Sequence, residues 1–401
     1  MSEHKNTPEL RFPEFKDEWY QSNLDEMCSF TSGGTPSRKT NKYWDGDIPW
    51  ITTSDLNNKF IKNIFTKITS SGLKNSSAKL ITEPAIILAM YGQGKTRGKC
   101  SILNFPATTN QACAILQPNE FNNIEFVYQF LEKNYTYLRA QSNEGSQKNL
   151  SLSLLKKIKI NYPSLFEQNK ISDFFSKLDR QIELEEEKLE LLEQQKRGYI
   201  QKIFSQGLRF KDEEGNYYKE WDTKQLKDVL EFSNKRTTNE NEYPVLTSSR
   251  QGLILQSDYY KDGKTFAESN IGYFILPKNY ITYRSRSDDG IFKFNLNQII
   301  DVGIISKYYP VFKGINTNQY YLTLHLNYQL KKEYIKYATG TSQLVLSKKN
   351  LQNIQTKLPS YEEQTKIANF LSELDKLIEK QSDKVELLKD RKKGLLQKMF
   401  V

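Results

Sequence analysis

The strongest hint of catalysis lies in Gly92-Gln93-Gly94-Lys95-Thr96-Arg97-Gly98-Lys99, which follows an apolar run at Ala85–Met90. Gly94-Lys95-Thr96 is how a phosphate-binding loop ends: backbone N–H groups cradle phosphates, the lysine reaches them and the hydroxyl meets magnesium. The full spacing needs glycine at position 89, and Ala89 stands there. No clear apolar strand with an Asp follows to hold the metal. A basic, glycine-rich loop still lets backbone come close to a phosphate chain, which suits nucleic acid better than a nucleotide. Other catalytic signatures are missing: no G-x-S-x-G, no H-E-x-x-H, no G-x-G-x-x-G, and neither the Asn-Pro-Pro-aromatic nor the methyl-donor glycine motif of amino-methyltransferases. His4 and His325 are the only histidines, so an independent hydrolase is not expected, although carboxylate–metal chemistry stays open. Cys28, Cys100 and Cys113 are odd in number and lack metal-ligand spacing, which suits reduced thiols in a cytosol.

What remains are loops rich in groups that contact DNA. Arg and Lys suit guanine edges and phosphates, Asn and Gln suit adenine edges, and hydroxyls suit phosphates. In the first half the candidates are Thr35, Ser37, Arg38, Lys39, Gln93, Lys95, Arg97 and Lys99. In the second they are Lys235, Arg236, Ser249, Arg250, Tyr283, Arg284, Arg286 and Ser287. Thr109-Asn110-Gln111 and its echo Thr317-Asn318-Gln319 read as a shared structural turn, since a specificity loop should differ between halves. The net charge of +10 favours a nucleic acid or an acidic surface as partner.

These loops need a support, and the sequence repeats one. Pro163–Ser205 recurs at Pro359–Val401 with no gap, 21 of the first 42 positions being identical. Each copy reads as one long helix of about 60 Å. Its apolar seam steps by four and three, the period of a coiled coil. The seam comprises Ile171, Phe175, Leu178, Ile182, Leu189 and Leu192, then Ile367, Leu371, Leu374, Ile378, Val385 and Leu388. Glu185 and Lys196 interrupt the first copy, Gln381 and Lys392 the second, at matching places. The simplest partner for each helix is the other.

Between the helices lie two globules of short strands and turns. Asp47–Thr52, Ala85–Met90 and Ala112–Leu116 read as strands and Phe126–Gln141 as helix. Pro49–Ser54 is echoed by Pro244–Ser249. Ser146-Gln147 with Leu150-Ser151 is echoed by Ser342-Gln343 with Leu346-Ser347. The landmarks match but the loops do not, as expected of two readers of different things on copied supports. The N-terminus has no apolar signal region and the longest apolar run is Ala85–Met90, so a cytoplasmic protein without a membrane span is expected.

Taken together, the chain resembles the specificity subunit of a type I restriction–modification system. The resemblance rests on Pro-Ser-x-x-Glu-Gln-x-Lys-Ile at 163–171 and 359–367, Leu-Asp at 178–179 and 374–375, and Lys-x-Gly-x-x-Gln-Lys-x-Phe at 196–204 and 392–400. Gly33-Gly34-Thr35-Pro36-Ser37 followed by Ile48-Pro49-Trp50-Ile51 also looks like the opening of a target-recognition domain. The resemblance implies an α+β protein. Two mixed α/β target-recognition domains, residues 1–160 and 207–356, would be joined by two long antiparallel coiled-coil helices, 161–206 and 357–401, in a pseudo-twofold repeat. It implies double-stranded DNA and two methyltransferase subunits as partners, with restriction subunits reached through the complex. It implies no catalysis and no cofactor in this chain, S-adenosylmethionine, ATP and magnesium belonging to the partners. A stand-alone DNA-binding regulator and a coiled-coil interaction scaffold are the alternative readings.

Overall fold

The computed structural model describes residues 6–92, 95–140, 149–259, 269–341 and 343–401, so Gln93, Gly94, Ser146, Gln147 and Ser342 lie outside the described residues. The chain divides into two compact units: one runs to Glu187 and adds Ser382–Val401, and the other is Lys188–Gln381. The long helices are Leu165–Phe204 and Tyr361–Met399, and each is shared between the units. Boundaries drawn at the helix ends, such as 160/161 and 356/357, therefore do not delimit the compact units. The physical reason is that the helix ends carry large apolar side chains that complete globular cores.

In the first unit, Cys28–Ser32, Cys113–Pro118, Ala85–Ala89 and Cys100–Leu103 lie side by side in that order, all antiparallel. Every residue of Ala85–Ala89 is buried, because this strand is central and covered on both faces. In the second unit, Leu230–Ser233, Val311–Gly314, Ile281–Tyr283 and Phe294–Leu296 repeat the same order and the same pairing. Each sheet is backed by a ten-residue helix, Ile124–Lys133 or Gln319–Tyr328. The helix expected over 126–141 is broken in two, Tyr135–Ala140 forming a separate turn after Asn134. Ser151 and Ser347 each cap a short helix, accepting from the N–H of Leu154 and Asn350, so that repeated serine has a structural task.

One apparent echo is overturned. Thr109-Asn110-Gln111 precedes the strand Cys113–Pro118, whereas Thr317-Asn318-Gln319 follows Val311–Gly314 and opens a helix. The true counterpart of Asn318 is Asn123. Each caps its helix, and each backbone N–H donates to a glutamine at the start of a long helix, Gln168 (3.0 Å) or Gln364 (3.1 Å).

That glutamine belongs to the repeated Glu-Gln pair, which clamps each globule to its helix. Glu167 is buried; it accepts both nitrogens of the Arg11 fork at 2.8 Å and Trp19 Nε1 at 3.3 Å. Glu363 takes Arg209 Nε at 3.0 Å and Trp221 Nε1 at 3.2 Å in the second unit.

The seam is buried unevenly. In the first unit Ile171 and Phe175 join a core with Trp19, Phe126, Leu396 and Phe400, and Leu178 and Ile182 pack with Leu388. In the second unit Ile203, Phe204, Ile367, Leu371 and Leu374 join a core with Trp221 and Tyr321. Val385 is also buried, while Leu189, Leu192 and Ile378, towards the helix middles, are only half-buried. The start of one long helix thus lies along the end of the other within each unit. Both lysine interruptions are paired: Lys392 with Asp179 at 2.6 Å in the first unit, Lys196 with Asp375 in the second. The two pairs are related by the 196-residue repeat, and the acids are those of the repeated Leu-Asp motif. Glu185 pairs with Lys384, but Gln381 offers no such charge to the second unit.

Candidate nucleic-acid interface

In the first unit the Gly33–Lys39 loop is built from the inside out. A Cβ on Gly33 would stand 2.1 Å from the Thr109 carbonyl oxygen, and one on Gly34 2.3 Å from Ser77. These glycines serve close packing of the loop on its own fold. Trp50 Nε1 donates to the Gly34 carbonyl at 2.9 Å, Trp44 Nε1 to that of Ser37 at 3.1 Å, and the Thr35 hydroxyl meets Gln111. On this base Ser37, Arg38 and Lys39 are exposed. The Arg38 guanidinium lies over Trp44 (4.2 Å to the ring centroid) and Trp50 (5.0 Å), which themselves meet edge to face. Cation–π contact of this kind contributes about 0.5–2 kcal/mol and holds the planar fork while its edge donors stay free.

The loop after the central strand behaves differently. Ala89 N–H donates to the Lys99 carbonyl and Gly98 N–H to that of Ala89, so the chain turns back at once into Cys100–Leu103. A phosphate-binding loop must lead into a helix N-terminus, and none follows here, which removes the nucleotide reading. Lys95 is exposed. Arg97 is half-buried and spends Nη2 on the Arg139 carbonyl at 2.8 Å, so it braces the fold. Lys99 is half-buried, donating to Asn57 Oδ1 at 3.3 Å. Gln93 lies outside the described residues. Among those described, no hydrogen bond or ion pair links Thr35–Lys39 to Lys95–Lys99.

In the second unit Lys235 and Arg236 are exposed on the strand-end loop corresponding to Gly33–Lys39. Arg236 lies 4.0 Å over Phe274 and donates to the Gly272 carbonyl at 2.7 Å. Lys348 shares this shelf, 5.0 Å from Phe274 and 5.3 Å from Phe232, and is anchored to Asn234. Burial and then the Arg236 charge lower its pKa. The sequence reading missed Lys348, since nothing local marks a lysine so far along the chain as a neighbour of Arg236.

Three candidates of the second unit are taken up by the fold itself. Tyr283 is fully buried: it ends the central strand, stacks on Phe294 at 4.7 Å and donates its hydroxyl to the Leu346 carbonyl. It is a core residue, and its removal from the candidate interface follows from the strand's place. Ser287 is buried and donates to Asp289 Oδ1 at 2.9 Å. Ser249 closes its own turn, donating to the Gly252 carbonyl and accepting from the N–H groups of Gln251 and Gly252. Arg250, Arg284 and Arg286 stay exposed, Arg286 lying over Tyr308. Arg250 forms an ion pair with Asp289 at 2.7 Å.

Among the described residues no group of three or more His, Cys, Asp or Glu is placed to hold a metal, and no helix is long and apolar enough to cross a membrane. The three cysteines are unpaired and buried.

Two sheets of one topology, each with an exposed basic rim and each clamped to a shared pair of long helices, define a duplicated recognition protein. The comparisons give the class its family. The type I restriction modification DNA specificity domain matches twice, over residues 16–194 and 218–387, and the chain belongs to that family. It is 31% identical over 243 residues to the type I restriction enzyme MjaIX specificity subunit of Methanocaldococcus jannaschii, a match covering 57% of this chain and 55% of that one. It is 25% identical to the MjaVIII specificity subunit of the same organism over 96% of this chain and 92% of the relative. It is 30% identical to the EcoR124I/EcoR124II specificity subunit of Escherichia coli over 42% and 43% of the two chains. In fold it is similar to the crystal structure of the type I restriction–modification S subunit from M. genitalium, with a TM-score of 0.58 at 16% identity, covering 98% of this chain and 99% of that one. The chain is a type I specificity subunit with two recognition domains.

Proposed function

We propose that each recognition domain reads one half of a split DNA sequence and that the long helices fix the unread gap and dock the methyltransferase subunits. The observation that carries this is the contrast between the domains. They share one sheet order, one clamp and one Lys–Asp pair, yet their exposed basic rims differ, with Arg38 over two tryptophans in one and Arg236, Arg250, Arg284 and Arg286 in the other. Copied supports with unlike rims suit two readers of unlike sequences. Readers on one face of a duplex sit about one helical turn, roughly 34 Å, apart, and helices of about 60 Å suffice to space them. Joining two readers in one chain raises affinity through effective concentration.

Docking is supported by the outer surface of the helices. Leu191 and Leu387 are 63% and 70% exposed, seven residues before Gly198 and Gly394, and a Cβ on either glycine would meet nothing within 4 Å. A helix-interior glycine costs about 1 kcal/mol relative to alanine, and packing among the described residues gives no return for it. In this reading the chain is non-catalytic, and S-adenosylmethionine, ATP and magnesium act in the methyltransferase and restriction subunits.

The test is co-expression with an adenine methyltransferase subunit and mapping of methylated adenines. A two-part motif with a fixed gap, absent without this chain, is the expected result. Unchanged methylation despite a methyltransferase that co-purifies would defeat the recognition half of the proposal; failure to co-purify would defeat the docking half.

A further inference from the structure

The strand echo Pro49–Ser54 and Pro244–Ser249 ends in two different devices. In the first unit Thr52 continues into a short 3-10 turn, where Asp55 accepts from the Thr52 N–H at 2.7 Å. In the second, Leu246–Ser248 turns back on Leu253–Leu255 as a tight antiparallel hairpin. Ser249 N–H donates to the Gly252 carbonyl at 2.8 Å, which leaves Arg250 and Gln251 as the two tip residues. Gly252 sits at φ +146°, a backbone value that favours glycine. The hairpin is rigid below its tip. Leu246 and Leu253 pack with Phe274, Leu276 and Val311, and buried Asn295 donates to Ser248 Oγ at 2.7 Å and to the Ser249 carbonyl at 2.9 Å.

At the tip Arg250 Nη2 donates to both carboxylate oxygens of Asp289, 2.7 Å each. Nε and Nη1 make no hydrogen bond among the described residues. Asp289 is itself fixed by the Ser287 hydroxyl and the Ile291 N–H. Those bonds, and then Arg250, hold its carboxyl down to about 2, so it stays charged throughout neutral pH.

We propose that this hairpin is the base-reading element of the second recognition domain, with Arg250 addressing a guanine edge, Asp289 as its positioning residue and Gln251 beside it suited to adenine. The inference rests on the DNA-recognition reading above and deepens it. A two-stranded ribbon fits the major groove, and Arg to guanine and Gln to adenine are the pairings that groove presents. The charge balance decides between base and phosphate. Arg250 beside a permanent carboxylate is a nearly neutral pair, so it adds little to the attraction of phosphates, and what it offers is direction. Arg284 and Arg286 form no ion pair among the described residues and retain their charge for the backbone.

The test is selection from a randomised duplex library by the full chain, assembled with a co-expressed methyltransferase, for wild type, R250K, D289N and the pair R284A/R286A. Lysine at position 250 keeps the charge but loses the fork. Supporting the proposal, R250K and D289N lose preference at one base pair of one half-site by roughly 5- to 100-fold, with the other half-site unchanged and, for the charge-conserving R250K, the salt dependence unchanged as well. R284A/R286A instead flattens the slope of log affinity against log salt by about 2. A wild type that selects a two-part motif, with R250K keeping every base preference, overturns the hairpin's role and leaves the two-domain reading standing. A wild type that selects no motif overturns that reading and this inference with it.

Discussion

The two units solve one packing problem with different residues at equivalent places. Counting forward from the capping asparagines, Asn123 and Asn318, Phe130 corresponds to His325 and Glu132 to Asn327. In the first unit Phe130 is buried apolar surface and Glu132 is a half-buried acid. In the second, His325 is fully buried between Thr356 Oγ1 (2.7 Å) and Tyr321, and Asn327 makes neutral bonds to Phe294. A duplicated scaffold therefore keeps its clamps and exchanges its interior charge, which gives the units unlike responses to pH from like architecture.

The largest expected effects test what is shared. Glu167→Ala leaves the Arg11 guanidinium and the Trp19 N–H without their buried acceptor, and Glu363→Ala does the same to Arg209 and Trp221. Each should cost about 3–5 kcal/mol, read by denaturant unfolding, and each should lower the unit that contains it. Loss from a single unit under both substitutions would break the equivalence.

Acid should separate the units. Burial holds His325 down to about 3, below its usual 6.5. The unfolded state then binds the extra proton between these values, so the second unit loses several kcal/mol as pH falls through that window. Burial raises Glu132, the largest effect on it, against the opposing Lys392 charge. Its folded form holds a proton longer than its unfolded form, so the first unit loses stability as pH rises from about 4.5. His325→Phe should flatten the loss of stability on the acid side and Glu132→Gln the loss as pH rises above about 4.5, each followed by thermal unfolding at a series of pH values. The same slopes in wild type and both variants would sink the distinction.

Smaller effects concern the rims. Arg38→Ala removes the guanidinium from the Trp44–Trp50 shelf and should weaken recognition of one half-site by about 1–3 kcal/mol, with the other half-site unaltered. Equal loss at both halves, measured on duplexes altered one half at a time, would contradict modular reading. The smallest effect is on the helices. Gly198→Ala and Gly394→Ala should each stabilise the chain by up to about 1 kcal/mol, because the added methyl meets nothing. If that face docks a methyltransferase subunit, the same variants should capture less of it in co-purification.

How far the sequence revealed all this follows from the range of the interactions. The helices, their seam and the repeated Leu-Asp and Lys positions were legible because period and gapless repetition are local signals. Their pairing as Lys392–Asp179 and Lys196–Asp375 needed the fold. Exposed Arg38, Arg236, Arg250, Arg284 and Arg286 were found because loops declare themselves by composition. Tyr283 misled because it adjoins Arg284 in sequence while its strand runs through the middle of a sheet. Lys348 and Asp289 were invisible, since each meets its arginine only after a long stretch of intervening chain is folded.

The shared helices also set an order of assembly. The second unit is one continuous stretch, whereas the first needs Leu396, Met399 and Phe400 in its core and Lys133 bound to the Phe400 and Val401 carbonyls. Synthesis adds about 5–20 residues per second, so the first globule, though made first, waits roughly 10–40 s for the segment that seals it. During that interval Trp19, Phe126 and Phe175 lack their Phe400 partner. The ribosome thus delivers the later half ready to close and the earlier half still open, and a nascent chain halted before residue 382 would carry one finished unit and one exposed core.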